Sequence, residues 1–211
     1  MSHSRYFAGR DEKNEEKLAH LLAALPPYCK DYFRGIRPAT TSMTRVAYAY
    51  DLSMFFTFLR NSPDASLRAI CEAERPECLS AITKQDVECY LEYLEGNGAS
   101  PDDGPRNQTQ GIRRRFSSLK SFLSYFCEAK AIPVNPTDAT RMPKLREKEI
   151  IRMDQDEMRE FLTELENGTG LCGKEIAYHG RFQVRDKAML SLMLGTGIRV
   201  SECVGLDLED I

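Results

Sequence analysis

Arginine and glutamate three residues apart at the mouth of a helix can grip a phosphate, and Arg199 with Glu202 in the segment GTGIRVSE have that spacing. Val200, Cys203 and Val204 give such a helix an apolar side, while positions three apart set Arg199 and Glu202 next to each other on another. A guanidinium offers a planar fork of donors that suits phosphate oxygens, and a neighbouring carboxylate fixes where the fork points. Just upstream, Ala188 to Leu194 is apolar at six of seven positions, which predicts a helix buried on most sides. Gly195-Thr196-Gly197 ends it, because glycine readily takes the positive φ of a helix stop. The same residues also suit a plain pair of packed helices with a glycine turn and a surface ion pair of small energetic weight.

A second set of side chains could meet a polyanion. Between Pro105 and Lys148, ten Arg and Lys stand against three acids, although the whole chain carries a net charge of -3. Ile112, Phe116, Leu119, Leu123 and Phe126 trace the apolar stripe of a long helix. Around that stripe Arg113, Ser117, Lys120 and Ser124 fall on one line, and Arg114, Ser118, Ser121 and Tyr125 on the next. Small hydroxyls between long cations let a helix approach a phosphate backbone closely, with arginine able to reach guanine edges. Arg113, Arg114 and Lys120, with Thr41, Thr44, Arg45 and Lys144 as further positions, are candidates for contact with duplex DNA. A solvated charged helix and linker would carry the same charge excess. Phe55, Phe56, Phe116 and Phe122 are read as core.

The elements that must hold these residues follow from periodicity and punctuation. Asp11 to Leu25 suits a helix that Pro26-Pro27 stops. Thr41 and Ser42 are suitable N-caps for a helix with Tyr48, Leu52, Phe55 and Leu59 on one face, about 28 Å long at 1.5 Å per residue. Asn61-Ser62-Pro63 ends it, and a shorter helix follows over Asp64 to Glu74. Thr83 precedes a further helix with Val87, Tyr90, Leu91 and Leu94, where Asp86 suits the N-terminal dipole, and Gly96-Asn97-Gly98 stops it. Pro133, Pro136 and Pro143 mark a basic interdomain linker. Beyond it Asp154 and Glu157 resemble a capping box for a helix burying Met158, Phe161, Leu162 and Leu165, closed by Asn167-Gly168-Thr169-Gly170.

Composition removes several classes. Seven scattered cysteines without a C-x-x-C pair suggest neither a disulfide framework nor a zinc site, and His3, His20 and His179 have no metal-ligand spacing, so no metal is expected. The longest nearly apolar run, Ala188 to Leu194, is far short of the ~18 residues that cross a bilayer, and Met1 to Lys17 is too charged for a signal peptide. A cytoplasmic protein is expected.

The string GTGIRVSE, followed by Leu206, Leu208 and Glu209-Asp210-Ile211, resembles the first catalytic box of the tyrosine recombinases, the phage integrase family. The resemblance extends upstream. Thr41 to Leu59 is similar to the first long helix of that family's core-binding domain, and Ile82-Thr83, Asp86-Val87 and Tyr90-Leu91 to its second block. Arg114 to Phe126, Asn135-Pro136, Met142-Pro143-Lys144 and Asp154 to Leu162 are similar to its last core-binding helix and the crossing into the catalytic domain.

The resemblance implies site-specific breakage and rejoining of DNA through a 3′-phosphotyrosyl intermediate, without metal or high-energy cofactor, because covalent capture conserves the phosphodiester energy. It implies that Arg199 contacts the scissile phosphate, that Glu202 supports it, and that copies assemble on DNA. The family's later lysine, His-x-x-Arg pair and C-terminal tyrosine have no counterpart after Arg199 here; His179 and Tyr178 precede the box, and Phe182 stands where the pair would need arginine. The 211 residues alone are thus expected to be inactive.

The expected fold is mainly α: a SAM-like helical core-binding bundle, then the helical beginning of an α+β catalytic domain whose small sheet Leu208 to Ile211 would enter. The expected boundaries are a charged extension over 1–19, the bundle over 20–132, a basic linker over 133–150 and the incomplete catalytic portion over 151–211. A non-catalytic DNA-binding or architectural protein, or a helical protein-interaction module, would share the helical pattern.

Overall fold

The computed structural model describes residues 5–96, 109–142, 144 and 152–206, and among these there is no strand, so the fold is mainly α. Residues 9–146 make one compact unit, and residues 147–211 belong to a second. Among the described residues no helix is long and apolar enough to cross a membrane.

The first unit runs α1 (Arg5–Ala23), α2 (Cys29–Ile36), α3 (Ser42–Arg60), α4 (Ala65–Ile70), α5 (Lys84–Gly96) and α6 (Thr109–Glu128). Local chemistry fixes the ends. Thr41 Oγ1 accepts the Thr44 N–H at 3.2 Å at the start of α3, and Asp64 accepts the Ser66 N–H at 2.8 Å at the start of α4. Before α5, Thr83 and Asp86 cap each other, the Thr83 N–H donating to Asp86 Oδ2 at 2.8 Å and the Asp86 N–H to Thr83 Oγ1 at 3.3 Å. Past the end of α6, Lys130 takes a left-handed φ of 60°. Its N–H reaches the Cys127 carbonyl at 3.0 Å while the Ala131 N–H reaches Phe126 O at 2.9 Å, the paired bonds of a Schellman stop.

Helix α6 is the centre of this unit. Its stripe of Ile112, Phe116, Leu119, Leu123 and Phe126 is buried as its period predicts, against Tyr28, Tyr32, Leu52, Phe55, Phe56 and Tyr90 of the other elements. The rings meet edge to face, Tyr32 with Phe122 at 5.2 Å between centroids and Phe55 with Tyr90 at 5.0 Å, the arrangement that their quadrupoles favour. Tyr32 spans α2 and α6 by donating its hydroxyl to Ser121 Oγ at 2.9 Å. Gly35 lies flat against the Tyr125 ring, where a Cβ would come within 2.4 Å of Cε2.

The structure departs from the sequence reading at both ends of this unit. Helix α1 begins at Arg5, and Ser42 donates to Asp11 at 2.5 Å while Asn14 donates to Ser42 at 3.0 Å, so residues read as a charged extension are tied to α3. The proline-rich stretch taken as linker folds back at its start. Asn135 is buried; its Oδ1 accepts from the Thr137 N–H at 3.0 Å and its amide donates to Ser124 Oγ at 2.9 Å. The helix expected over Asp64 to Glu74 stops at Ile70, before a 3₁₀ turn at Pro76–Ala81. The Asn97-Gly98 part of the expected helix stop and Leu208 to Ile211, expected to lead into a small sheet, lie outside the described residues.

The second unit holds α7 (Gln155–Asn167), α8 (Lys174–Thr196) and α9 (Val200–Val204). Asp154 and Glu157 form the expected capping box, with the Asp154 N–H donating to Glu157 Oε2 at 2.8 Å and the Glu157 N–H to Asp154 Oδ1 at 2.9 Å. Gly168 ends α7 at φ 63°, and His179 Nε2 from α8 meets the Leu165 carbonyl there at 2.6 Å. Beside it the Gln183 amide and Lys187 engage the Glu166 carbonyl and carboxylate. The expected burial is not found: Met158, Leu162 and Leu165 are half-buried, Phe161 is exposed, and no residue of α8 is buried. Two neighbouring helices, one of them five residues long, cannot enclose a third on all sides.

Candidate functional site

Arg199 stands between α8 and α9. Gly197, at φ 72°, ends α8 by giving its N–H to Met193 O at 2.8 Å, a conformation that a side chain would strain. The chain then extends through Arg199, at φ -78° and ψ 155°, into the first turn of α9. Glu202 reaches back over that turn. Its Oε2 accepts the Arg199 backbone N–H at 2.7 Å, and its Oε1 lies 3.3 Å from Arg199 Nη1. The first of these bonds, then the nearby guanidinium, holds the Glu202 carboxyl below its ordinary range. Arg199 is 82% exposed, so a fork fastened at its backbone and steadied at one nitrogen faces solvent. Of the expected apolar side of α9 only Cys203 is buried; Val200 and Val204 are exposed. His179 serves α7 as described, and Tyr178 is exposed with its ring 4.8 Å from that of Phe182.

The basic face of α6, in the first unit, is narrower than expected. Ser118 is fully buried and Ser121 turns to Tyr32, so the line through Arg114, Ser118, Ser121 and Tyr125 faces partly inward. Arg113 is half-buried and Ser117 exposed, while Lys120 sits at the surface 2.9 Å from Asp138. Arg114 gives Nη1 to Asp51 Oδ2 at 2.6 Å and Nη2 to Oδ1 at 2.8 Å, and Arg115 Nε lies 3.9 Å from the same carboxylate. Both Asp51 oxygens accept from Arg114, the bidentate arrangement that suits an arginine–carboxylate pair. Burial pushes this carboxyl up, while Arg114 and then Arg115 pull it down.

Thr41 and Thr44 share a hydroxyl bond of 2.9 Å at the surface of the α3 entrance, and Lys144 is exposed. Arg45 corrects the sequence reading. Its side chain is 7% exposed, and it binds Glu15 at 2.5 Å and the Thr40 carbonyl at 2.6 Å, so it joins α1 to α3 rather than facing a ligand. Sequence reasoning missed Asp51, although one signal was present: an acid three residues after Tyr48 and four before Phe55 lies on the apolar side of α3. Among the described residues no three His, Cys, Asp or Glu side chains gather as metal ligands.

The first unit thus carries a basic face on α6, and the second an arginine fixed at a helix entrance. Residues 151–211 match the phage integrase family model. Over 197 residues the chain is 30% identical to a tyrosine recombinase XerC of Caldanaerobacter subterraneus, covering 88% of this chain and 50% of that protein. A tyrosine recombinase XerS of Streptococcus agalactiae is 27% identical over 93% of this chain and 60% of its own length. A XerC of Chlorobaculum parvum is 26% identical over 93% of this chain and 52% of its own. No solved structure matches. The chain is similar to the tyrosine recombinases, and it spans about half the length of the curated relatives it matches.

Proposed function

We propose that this chain is part of an enzyme of site-specific DNA recombination, which breaks and rejoins strands through a phosphotyrosyl intermediate. The residue that carries the reading is Arg199, held at the α9 entrance by Glu202 inside the segment that matches the family model. In this role its guanidinium binds the scissile phosphate and stabilises the charge that develops as the nucleophile attacks. The α6 face, through Arg113, Arg114 and Lys120, together with Thr41, Thr44 and Lys144, grips the duplex backbone and sets register. Copies of the protein assemble on the site, in the cytoplasm, and no cofactor takes part.

The test begins with a duplex site selected by binding from a random-sequence pool. The protein extended to its relatives' length is incubated with that site, and covalent protein–DNA adducts are sought on a denaturing gel. An adduct lost on digestion of the DNA-linked tyrosine peptide is expected; binding with no adduct from the extended protein overturns the reading.

A further inference from the structure

The carboxylate of Asp51 is 2% exposed, beside Leu52 and Tyr90 in the core, yet its partner Arg114 is 49% exposed. Burying an anion is costly unless it is paired and hydrogen-bonded, and here α3 places one beneath α6, where two guanidiniums converge on it. The geometry does more than balance charge, because the two parallel bonds of 2.6 and 2.8 Å fix the plane of the Arg114 guanidinium at the surface. Of its five N–H donors two go to Asp51, and among the described residues three remain.

We propose that Asp51 is a positioning residue for DNA binding: it locks the Arg114 guanidinium on α6 so that its remaining donors meet a backbone phosphate without first being ordered. The proposal rests on the reading of α6 as a DNA-facing helix. Charge counting alone gives the opposite sign. Removing the Asp51 anion makes the face more positive and should tighten binding to a polyanion. Positioning makes the loss of Asp51 weaken binding, since a loosened arginine must surrender its rotamer freedom each time it docks. A purely structural Asp51 would lower the melting temperature and leave Arg114's share of binding alone.

The experiment uses the full 211-residue chain with a fluorescein-labelled random-sequence duplex, titrated by anisotropy over a salt series below the melting temperature of every variant. Arg114→Ala is expected to weaken binding and reduce the slope of log affinity against log salt by about 0.9, the weight of one phosphate contact. Asp51→Asn is expected to weaken binding about threefold to tenfold, from the ordering of one long side chain, with the slope unchanged. In the Arg114→Ala background Asp51→Asn should cause no further loss. Tighter or unchanged binding by Asp51→Asn, or a further loss in that background, overturns the positioning proposal while leaving α6 on the DNA. No salt-dependent binding by the unmodified chain, or no effect of either Arg114→Ala or Lys120→Ala, overturns the reading of α6 itself. If Asp51→Asn does not fold, Arg114→Lys carries the test. A point charge cannot bridge both carboxylate oxygens, so it should keep the slope and lose affinity, and wild-type affinity overturns the proposal.

Discussion

Replacing Arg199 by alanine is expected to abolish strand cleavage by the complete protein without disturbing its fold. The Arg199 side chain is 82% exposed and its ion pair among the described residues, at 3.3 Å, is with a half-exposed Glu202. Exposed pairs of this kind contribute at most about 1 kcal/mol, which moves the melting temperature by about 2–4 °C at this size. The stronger link, from the Arg199 backbone N–H to Glu202 at 2.7 Å, survives in alanine, so α9 keeps its start. Removing one preorganised donor from a developing oxyanion costs about 10²–10³ in rate, and a guanidinium supplies more than one. Single-turnover cleavage of a nicked suicide duplex, with melting and DNA affinity measured on the same preparations, separates the two effects. Glu202→Gln keeps an acceptor for the backbone N–H and should lose less than Arg199→Ala. Cleavage by Arg199→Ala at the unmodified rate would refute the role, and so would a loss of cleavage that came with a collapse in melting temperature.

Other outcomes follow from the same geometry. Arg113→Glu with Lys120→Glu should sharply weaken low-salt duplex binding at near-constant stability, whereas Arg45→Ala should cost about 2–3 kcal/mol in urea unfolding because it strips charged hydrogen bonds from a buried site. Gly35→Ala should be destabilising by about 1 kcal/mol, overpacking against Tyr125 outweighing the helix propensity gained, and Tyr125→Ala should reverse its sign. Lys130→Gly should raise stability by about 1 kcal/mol by relieving its left-handed backbone, which an unchanged urea midpoint would contradict. Burial pushes the Cys29 thiol far up, so native protein should react with a thiol reagent at the exposed Cys89 and Cys172 and at Cys29 only once unfolded.

Short-range signals were the legible ones. The α6 stripe from Ile112 to Phe126, the Thr41 cap, the Asp154 box and the Gly197 stop each depend on residues within a turn or on a 3.6 period, and the structure has all of them. Arg199 and Glu202 belong with these, being three apart on one turn. What failed depends on distant partners. Arg45 reads as an outward cation until Glu15, thirty residues earlier, is placed beside it. Ser118 and Ser121 read as a polar line until the bundle buries the first and Tyr32 of α2 engages the second. Burial of α7 and α8 was read from apolar content alone, which states what a helix would hide but not whether enough neighbours are present to hide it.

The helix at the centre of the first unit is also the last of its six to be made. The bond from Tyr32 to Ser121 closes 89 residues of chain, and that from Arg114 to Asp51 closes 63. Until α6 emerges from the ribosome, Phe56, Tyr28 and Tyr32 have no Phe122 to pack against, and Asp51 has no cation. Phe55 can already meet Tyr90, but the faces of α2 and α3 that α6 covers wait through the synthesis of most of the unit for a long-range closure.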